Sequence, residues 1–132
     1  MQIIKAHGCI TDPSKIVLTR SQYFKARQLY SNFYKVLDAL FLTHTLFFIG
    51  YGLNDPDIQL ILENTNITFK STHSHYSLIE AGMHETIKRS FQDSFNIKLI
   101  EYPRGLYEEA NRILGELADA VVEKRFSNPA AV

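Results

Sequence analysis

Three features of this sequence have residue types and spacings suited to chemistry. His7 stands at the end of a short apolar run, where an imidazole can serve as a general base if a substrate proton lies within reach. The run from Leu46 to Ile58 combines apolar residues, Gly50 and Gly52 one residue apart, and an Asp-Pro pair, which is the pattern of a strand, a sharp turn and a helix start. Glu80 ends a third apolar run, and its carboxylate can accept hydrogen bonds from ribose hydroxyls. These features predict a ligand site beyond the carboxyl ends of parallel strands.

Each feature also has a purely structural explanation. A lone histidine at a strand end is more often a hydrogen-bonded structural residue, and a glutamate in the position of Glu80 is at least as often a solvated surface residue. Asp55 stands where a dinucleotide fingerprint has its third glycine, and no Walker lysine follows. The glycine turn alone is therefore a weak phosphate-binding signal, and both explanations remain open at this stage.

Two histidine-containing pairs have the spacing of metal ligands. His7 and Cys9, like His73 and His75, are two residues apart, so in an extended chain each pair points to one side and could share an ion. Nothing in the sequence brings the two pairs together, and we predict no metal site. Cys9 is the only cysteine, which excludes an internal disulfide and a four-cysteine zinc site.

The composition narrows the class of protein and its partners. With 45% hydrophobic and 21% charged residues, the 132-residue chain is a globular protein of one domain at most. Its 14 basic and 14 acidic residues cancel, so no overall field favours nucleic acid or an anionic membrane. No apolar run approaches the roughly 20 residues that span a bilayer, and a signal peptide is not apparent. We expect a soluble, cytoplasmic protein without a membrane or direct nucleic acid partner.

Hydrophobic periodicity predicts alternating strands and helices. A capping box at Thr19 predicts a helix through about Leu42 with a possible bend at Tyr30. With Asp55 as N-cap, a second predicted helix runs from Pro56 to about Asn64, and two more span Met83–Phe95 and Tyr107–Arg125. The predicted strands span Gln2–Ala6, Ile16–Leu18, Leu46–Ile49, His75–Glu80 and Asn96–Tyr102. This alternation favours an α/β fold with three layers and a mostly parallel sheet.

The same patterns predict which side chains are buried. The Leu46 strand is expected to be covered on both faces, and the strand that begins at Asn96 is expected nearer the sheet edge. Ile87 and Phe91 are expected to face inward from their helix. The last helix carries a continuous apolar stripe, made of Ala110, Ile113, Leu114, Leu117, Ala118, Val121 and Val122.

Several motifs together resemble a known family. The segment Lys5–Gly8, a helix opening near Thr19, and the run Phe48–Ile58 resemble the bacterial sirtuin-like domain, in the branch common in anti-phage defence proteins. That branch has a Lys-Leu-His-Gly strand end, a Gly-Tyr-Ser-Leu-x-Asp turn and a late strand that ends in Tyr-Pro, here Tyr102-Pro103. Gly52 stands in place of the serine of the turn, so a hydroxyl that would face the cofactor is absent.

The resemblance implies a Rossmann-like fold that binds NAD as substrate and cleaves the bond between nicotinamide and ribose. By that resemblance His7 is the catalytic histidine, and Glu80 contacts the adenosine ribose. The turn against the nicotinamide ribose and phosphates corresponds to Gly50, Tyr51, Gly52, Leu53 and Asn54. Because the four cysteines of the deacetylase zinc module are absent, the resemblance favours NAD hydrolysis without zinc over lysine deacylation.

The family's first half, with its Gly-Ala-Gly-x-Ser phosphate loop and Asn-x-Asp turn, has no counterpart in this sequence. We therefore expect residues 1–126 to be the C-terminal half of a sirtuin-like domain, with residues 127–132 a disordered tail. The chain would be a fragment, a truncated reading frame, or a subunit completed by another chain, and inactive alone. Its expected partner is a complementing N-terminal half or a second copy. The competing hypothesis is a non-catalytic interaction module that pairs through an exposed sheet edge.

Overall fold

The computed structural model describes the backbone of residues 5–51, 56–68 and 73–127. A short 3₁₀ turn at Pro13–Lys15 precedes the first helix. The helices are α1 (Arg20–Leu29), α2 (Ser31–Thr43), α3 (Pro56–Thr68), α4 (Glu85–Phe95) and α5 (Tyr107–Ser127), and the strands are β1 (Phe47–Ile49), β2 (His75–Glu80) and β3 (Ile97–Tyr102). The chain divides into two compact units, Met1–Leu40 and Phe41–Val132.

The three strands form a parallel sheet in the order β1-β2-β3. Ile49 of β1 lies level with Leu78 of β2, and Glu80 of β2 lies level with Tyr102 of β3. Helices α3 and α4 connect consecutive strands, as parallel strands require. The predicted α/β class and parallel sheet are confirmed, and the arrangement is consistent with a Rossmann-like fold.

Two local features set the helices of the first unit: a capping box where α1 begins, and a break between α1 and α2. Thr19 Oγ1 accepts a hydrogen bond from the Gln22 backbone N–H, and Gln22 Oε1 accepts one from the Thr19 N–H, so the predicted capping box is confirmed. Tyr30, with ψ of 38°, ends α1 before α2 begins at Ser31, which confirms the predicted bend. Tyr23 and Tyr34 are both 4% exposed, and their rings meet edge to face. These two rings form the buried centre of the unit.

The core of the second unit lies between the sheet and the helices that connect its strands. Leu62 of α3 and Ile97 of β3 are each 1% exposed, and Phe91 of α4 is buried as predicted. Helix α4 contacts both α3 and β3. At the end of α4, Asn96 adopts a left-handed conformation with φ of 53°, and its side-chain amide donates to the His73 carbonyl. Asn96 therefore ties the beginning of β3 to the segment that enters β2.

Two strand predictions in the first unit are wrong as far as the structure describes them. Ile16–Leu18 is an irregular segment, because the Val17 N–H donates to the His7 carbonyl in a loop contact and not to a strand ladder. Lys5 and Ala6, at the end of the predicted Gln2–Ala6 strand, lie in a non-strand segment that turns at His7, while residues 1–4 lie outside the described residues.

Several burial and length predictions in the second unit also need correction. Phe47 and Phe48 are only half-buried and Ile49 is 54% exposed, because β1 is an outer strand of the described sheet. Ile87 is 50% exposed and not inward-facing. Helix α3 runs to Thr68, four residues past its predicted end.

The predicted helix at the end of the chain is confirmed, but its apolar stripe is not buried as a whole. Leu117, Val121 and Val122 are 42%, 44% and 51% exposed. At 1.5 Å per residue α5 is roughly 31 Å long, whereas a six-residue strand such as β3 spans roughly 20 Å. A helix of that length extends beyond the strand it contacts, which leaves its later turns exposed among the described residues.

Candidate functional site

The glycine turn after β1 has free space at Gly50 among the residues that the structure describes. Gly50 has φ of +64°, and a Cβ atom placed there would meet no atom of those residues within 4 Å. Tyr51 follows, and its ring stacks on Phe48 with centroids 6.0 Å apart. Helix α3 begins at Pro56, as predicted. The predicted cofactor contacts Gly52, Leu53 and Asn54 lie outside the described residues.

Glu80 lies at the same edge of the sheet as the glycine turn. Gly50 is one residue beyond Ile49, and Glu80 is two residues beyond Leu78, the residue level with Ile49 in the parallel register. The carboxyl ends of both strands therefore meet at this edge, which is where open α/β sheets bind ligands. The structure thus brings Gly50, Tyr51 and Glu80 to one edge.

Glu80 also has a structural partner that the sequence did not indicate. Its Oε1 atom accepts a 2.6 Å hydrogen bond from the backbone N–H of Gly105, in the turn between β3 and α5. The φ of +76° at Gly105 favours glycine there. Nearby, burial raises the pKa of the Tyr102 phenol, and the negative charge of Glu80 adds to the shift. The Tyr102 phenol is therefore harder to ionise than an ordinary tyrosine.

His7 belongs to the first unit, and its side chain is exposed in a turn. Its carbonyl accepts from the Val17 N–H at 3.1 Å, and the Gly8 N–H donates to the Lys5 carbonyl at 3.1 Å. Gly8 has φ of +85°, and a Cβ atom there would lie 2.4 Å from the Lys15 carbonyl oxygen. The backbone of the turn is thereby held by local contacts while the imidazole remains accessible.

Cys9 forms a hydrogen bond that the sequence did not indicate. Lys5 Nζ donates to Cys9 Sγ at 2.8 Å, and this hydrogen bond, with smaller contributions from Thr11, lowers the pKa of the Cys9 thiol to about 7. The spacing of four residues between Lys5 and Cys9 is compatible with such a contact, but only the turn at His7 brings the two side chains together.

His75 is a buried structural histidine. It is 2% exposed, its Nδ1 accepts from the Leu46 N–H at 3.2 Å, and its ring meets Phe41 edge to face. An Nδ1 atom that accepts this hydrogen bond is not available as a metal ligand. In the part of the chain that the structure describes, no three His, Cys, Asp or Glu side chains are grouped to hold a metal ion.

Burial of His75 makes stability depend on pH. Burial, and secondarily the charge of His73, lowers the pKa of His75 below its ordinary value of 6.5. The unfolded chain therefore binds a proton that the folded chain resists, and stability is lost as pH falls below about 6.5. We expect the Tm to fall over this range, measured by circular dichroism, and to fall less steeply in His75→Asn. In His44→Gln, which alters an exposed histidine, the slope should match wild type; an equal slope in His75→Asn would refute the assignment.

No helix among the described residues is both long and apolar enough to cross a bilayer.

The fold defines an α/β protein of the Rossmann-like class, and comparison with known proteins identifies its family. The sequence model of the SIR2-like domain matches residues 1–100, so this chain belongs to the SIR2-like domain family. The recognition of a sirtuin-like domain from sequence is confirmed.

Similar curated proteins carry one name. The NAD(+) hydrolase ThsA of Enterococcus faecium is 32% identical over 94 residues, which cover 70% of this chain and 19% of that protein. The NAD(+) hydrolase ThsA of Bacillus cereus is 28% identical over 79 residues, covering 59% of this chain and 17% of the relative. The NAD(+) hydrolase ThsA of Acinetobacter baumannii is 27% identical over 77 residues, covering 58% and 16%. The chain spans at most about a fifth of the length of these relatives.

Proposed function

We propose that this chain supplies part of an NAD-binding site, and that the complete domain hydrolyses NAD to nicotinamide and ADP-ribose. The observation that carries the proposal is the left-handed turn at Gly50, which lies with Glu80 at the carboxyl edge of a parallel sheet in a SIR2-like domain. The similarity to proteins named NAD(+) hydrolases supports NAD as the substrate. The resemblance of the His7 and Gly50 motifs to the defence branch of the sirtuin-like family supports a role of this activity in defence against phage.

In the proposed reaction the bond between the nicotinamide nitrogen and the ribose carbon breaks, and water adds to that carbon. His7 takes the proton from the attacking water or from a ribose hydroxyl, which is the role of a general base. The Gly50 turn lets the ribose and phosphates approach the backbone, and it contributes by orientation. Glu80 accepts hydrogen bonds from the adenosine ribose while its Oε1 atom also holds the Gly105 N–H.

The proposal is tested by adding NAD to the purified chain while its Tm and the release of nicotinamide are followed. We expect NAD to raise the Tm, since a ligand that binds only the folded state stabilises it. Little nicotinamide should be released by the chain alone, because the phosphate loop of the family has no counterpart in this sequence.

A matched variant isolates the contribution of the Glu80 charge. Glu80→Gln keeps an oxygen that can accept from the Gly105 N–H, but it lacks the charge for the ribose. Its Tm without NAD should match wild type, and its shift with NAD should be smaller. If NAD gives neither a Tm shift nor nicotinamide in wild type, the chain has no NAD site.

A non-catalytic interaction module is the second candidate function, and exposed apolar surface favours it. Ile49 on the outer strand β1 is 54% exposed, and Val122 on α5 is 51% exposed. Surfaces of this kind pair with another polypeptide, here a second copy or a complementing half-domain. Stable oligomers in light scattering together with no response to NAD would favour this function over NAD hydrolysis.

A further inference from the structure

The first unit contains a cavity that the NAD proposal does not use. This cavity is open to solvent, has a volume of about 310 Å³, and lies between the turn before His7, the Lys15–Val17 segment and helices α1 and α2. Its walls include Tyr30, Phe33 and Tyr34. This volume is at the lower end of the range of small-molecule sites, roughly 300–1,000 Å³, which are mostly apolar with a few polar groups.

A second cavity of about 200 Å³ adjoins the first, since both are lined by Lys15, Val17 and Tyr30. The first cavity also has Lys5 in its wall, and the second has Lys25. Among the described residues that line the two cavities there is no aspartate or glutamate, although the Asp12 carboxylate pairs with Lys15 from outside the walls. Three lysines beside aromatic walls favour an anionic ligand with a planar ring.

The lysine most central to the two cavities can exchange its present partner for a ligand. Lys15 Nζ pairs with Asp12 at 2.8 Å, but the two side chains are 63% and 43% exposed. Exposed pairs of this kind contribute little free energy, because solvent screens the attraction. A phosphate offers the Lys15 ammonium a more highly charged acceptor in the same position.

Contacts with neighbouring side chains hold the aromatic residues of the first cavity in place. The buried Tyr34 ring packs edge-on against Tyr23 at 5.6 Å and Phe33 at 5.2 Å, and the Arg27 guanidinium lies 5.7 Å from its centroid. Arg27 also donates to the Tyr23 hydroxyl at 2.9 Å. A wall fixed by these contacts needs little reordering when a ligand binds, which favours affinity.

We propose that the two adjoining cavities bind a small aromatic anion of the nucleoside monophosphate class. The ring lies against Tyr30 and Phe33, and the phosphate is held by Lys15 and Lys25. The site goes beyond NAD hydrolysis and does not depend on it, because the described residues that line the two cavities do not include His7, Gly50 or Glu80.

The test is calorimetric titration of the whole chain with AMP, adenosine and inorganic phosphate. AMP should bind at least about tenfold more tightly than adenosine or phosphate. Only AMP has both a ring that packs against the aromatic residues and a phosphate that pairs with the lysines. Added salt should weaken AMP binding. Adenosine binding as tightly as AMP, phosphate binding as tightly as AMP, or no AMP binding at millimolar concentration would each overturn the proposal.

Variants and amide chemical shifts locate the bound AMP. Lys15→Ala and Lys25→Ala should each weaken AMP about tenfold, whereas Lys35→Ala, an exposed lysine of α2 outside both cavity walls, should stay within about twofold. Shifts on adding AMP should centre on Val17, Ala26 and Phe33. Shifts centred on Gly50 and Gly105, or equal losses in all three lysine variants, would contradict the site. Retained AMP binding in a His7→Ala chain would separate this site from the outcome for NAD hydrolysis.

Discussion

Replacing His7 with alanine is expected to lower nicotinamide release by about a hundredfold to ten-thousandfold, the range that a positioned general base contributes. The side chain is exposed, and the backbone carbonyl of His7 accepts a hydrogen bond from the Val17 N–H. The substitution therefore removes the imidazole while the turn keeps its backbone hydrogen bonds. The expected result is a loss of kcat with little change in Tm.

The measurement needs a complete catalytic domain. The segment of the Enterococcus faecium NAD(+) hydrolase that aligns with this chain can be exchanged for the corresponding residues of this chain. Nicotinamide release is then compared between this chimera, its His7→Ala variant and a His44→Gln variant, which alters another exposed histidine. If the His7→Ala chimera is as active as its parent, His7 is not the base. If both histidine variants lose activity equally, the loss is not specific to His7.

Replacing Gly8 with alanine is expected to destabilise the first unit strongly. The φ of +85° alone costs an L-residue about 1–2 kcal/mol. The added Cβ would also lie 2.4 Å from the Lys15 carbonyl oxygen and 2.8 Å from its carbonyl carbon. These are backbone atoms, so the Lys5–Gly8 turn must move away from the Lys15 segment, and the Val17 N–H bond to the His7 carbonyl is lost with it.

Gly105→Ala is the matched control, because Gly105 has a similar φ of +76° but no atom of the described residues within 4 Å of its Cβ position. Both variants carry the cost of the backbone conformation, and only Gly8→Ala carries the clash. Thermal unfolding and hydrogen exchange of α1 amides should therefore show a clearly larger loss in Gly8→Ala. Equal losses in the two variants would mean that the contact between Gly8 and Lys15 is not a constraint on the fold. A larger loss in Gly8→Ala would also explain why a glycine follows His7 in this chain.

Local sequence patterns predicted the secondary structure correctly where it depends on residues that are close together in the chain. The capping box at Thr19 needs only Gln22 three residues later, and it formed as predicted. The strand His75–Glu80 was predicted with its observed ends, because its apolar run is bounded by polar residues and by Ala81-Gly82. The alternation of strands and helices was enough to predict the parallel sheet.

Burial was harder to predict, because it depends on how far the neighbouring elements extend. Ile87 and Phe91 share a helix and a spacing of four residues, yet Phe91 is 7% exposed and Ile87 50%. Val121 follows the same periodicity as the start of α5, but the helix is longer than the strand it contacts, and Val121 is 44% exposed. Periodicity identifies a face of a helix and does not show whether that face is covered.

The sequence by itself determined the family, the class of fold and the candidate site residues, since these follow from local motifs and from the order of elements along the chain. Only the tertiary structure decided that Glu80 holds the Gly105 N–H, that His75 is a buried structural residue, and that Lys5 lowers the pKa of Cys9. The Glu80 contact joins residues 25 apart and the His75 contact residues 29 apart, while the Lys5 contact needs the turn at His7. A sequence pattern specifies the groups available for such contacts, whereas chain folding sets which of them come within hydrogen-bonding distance.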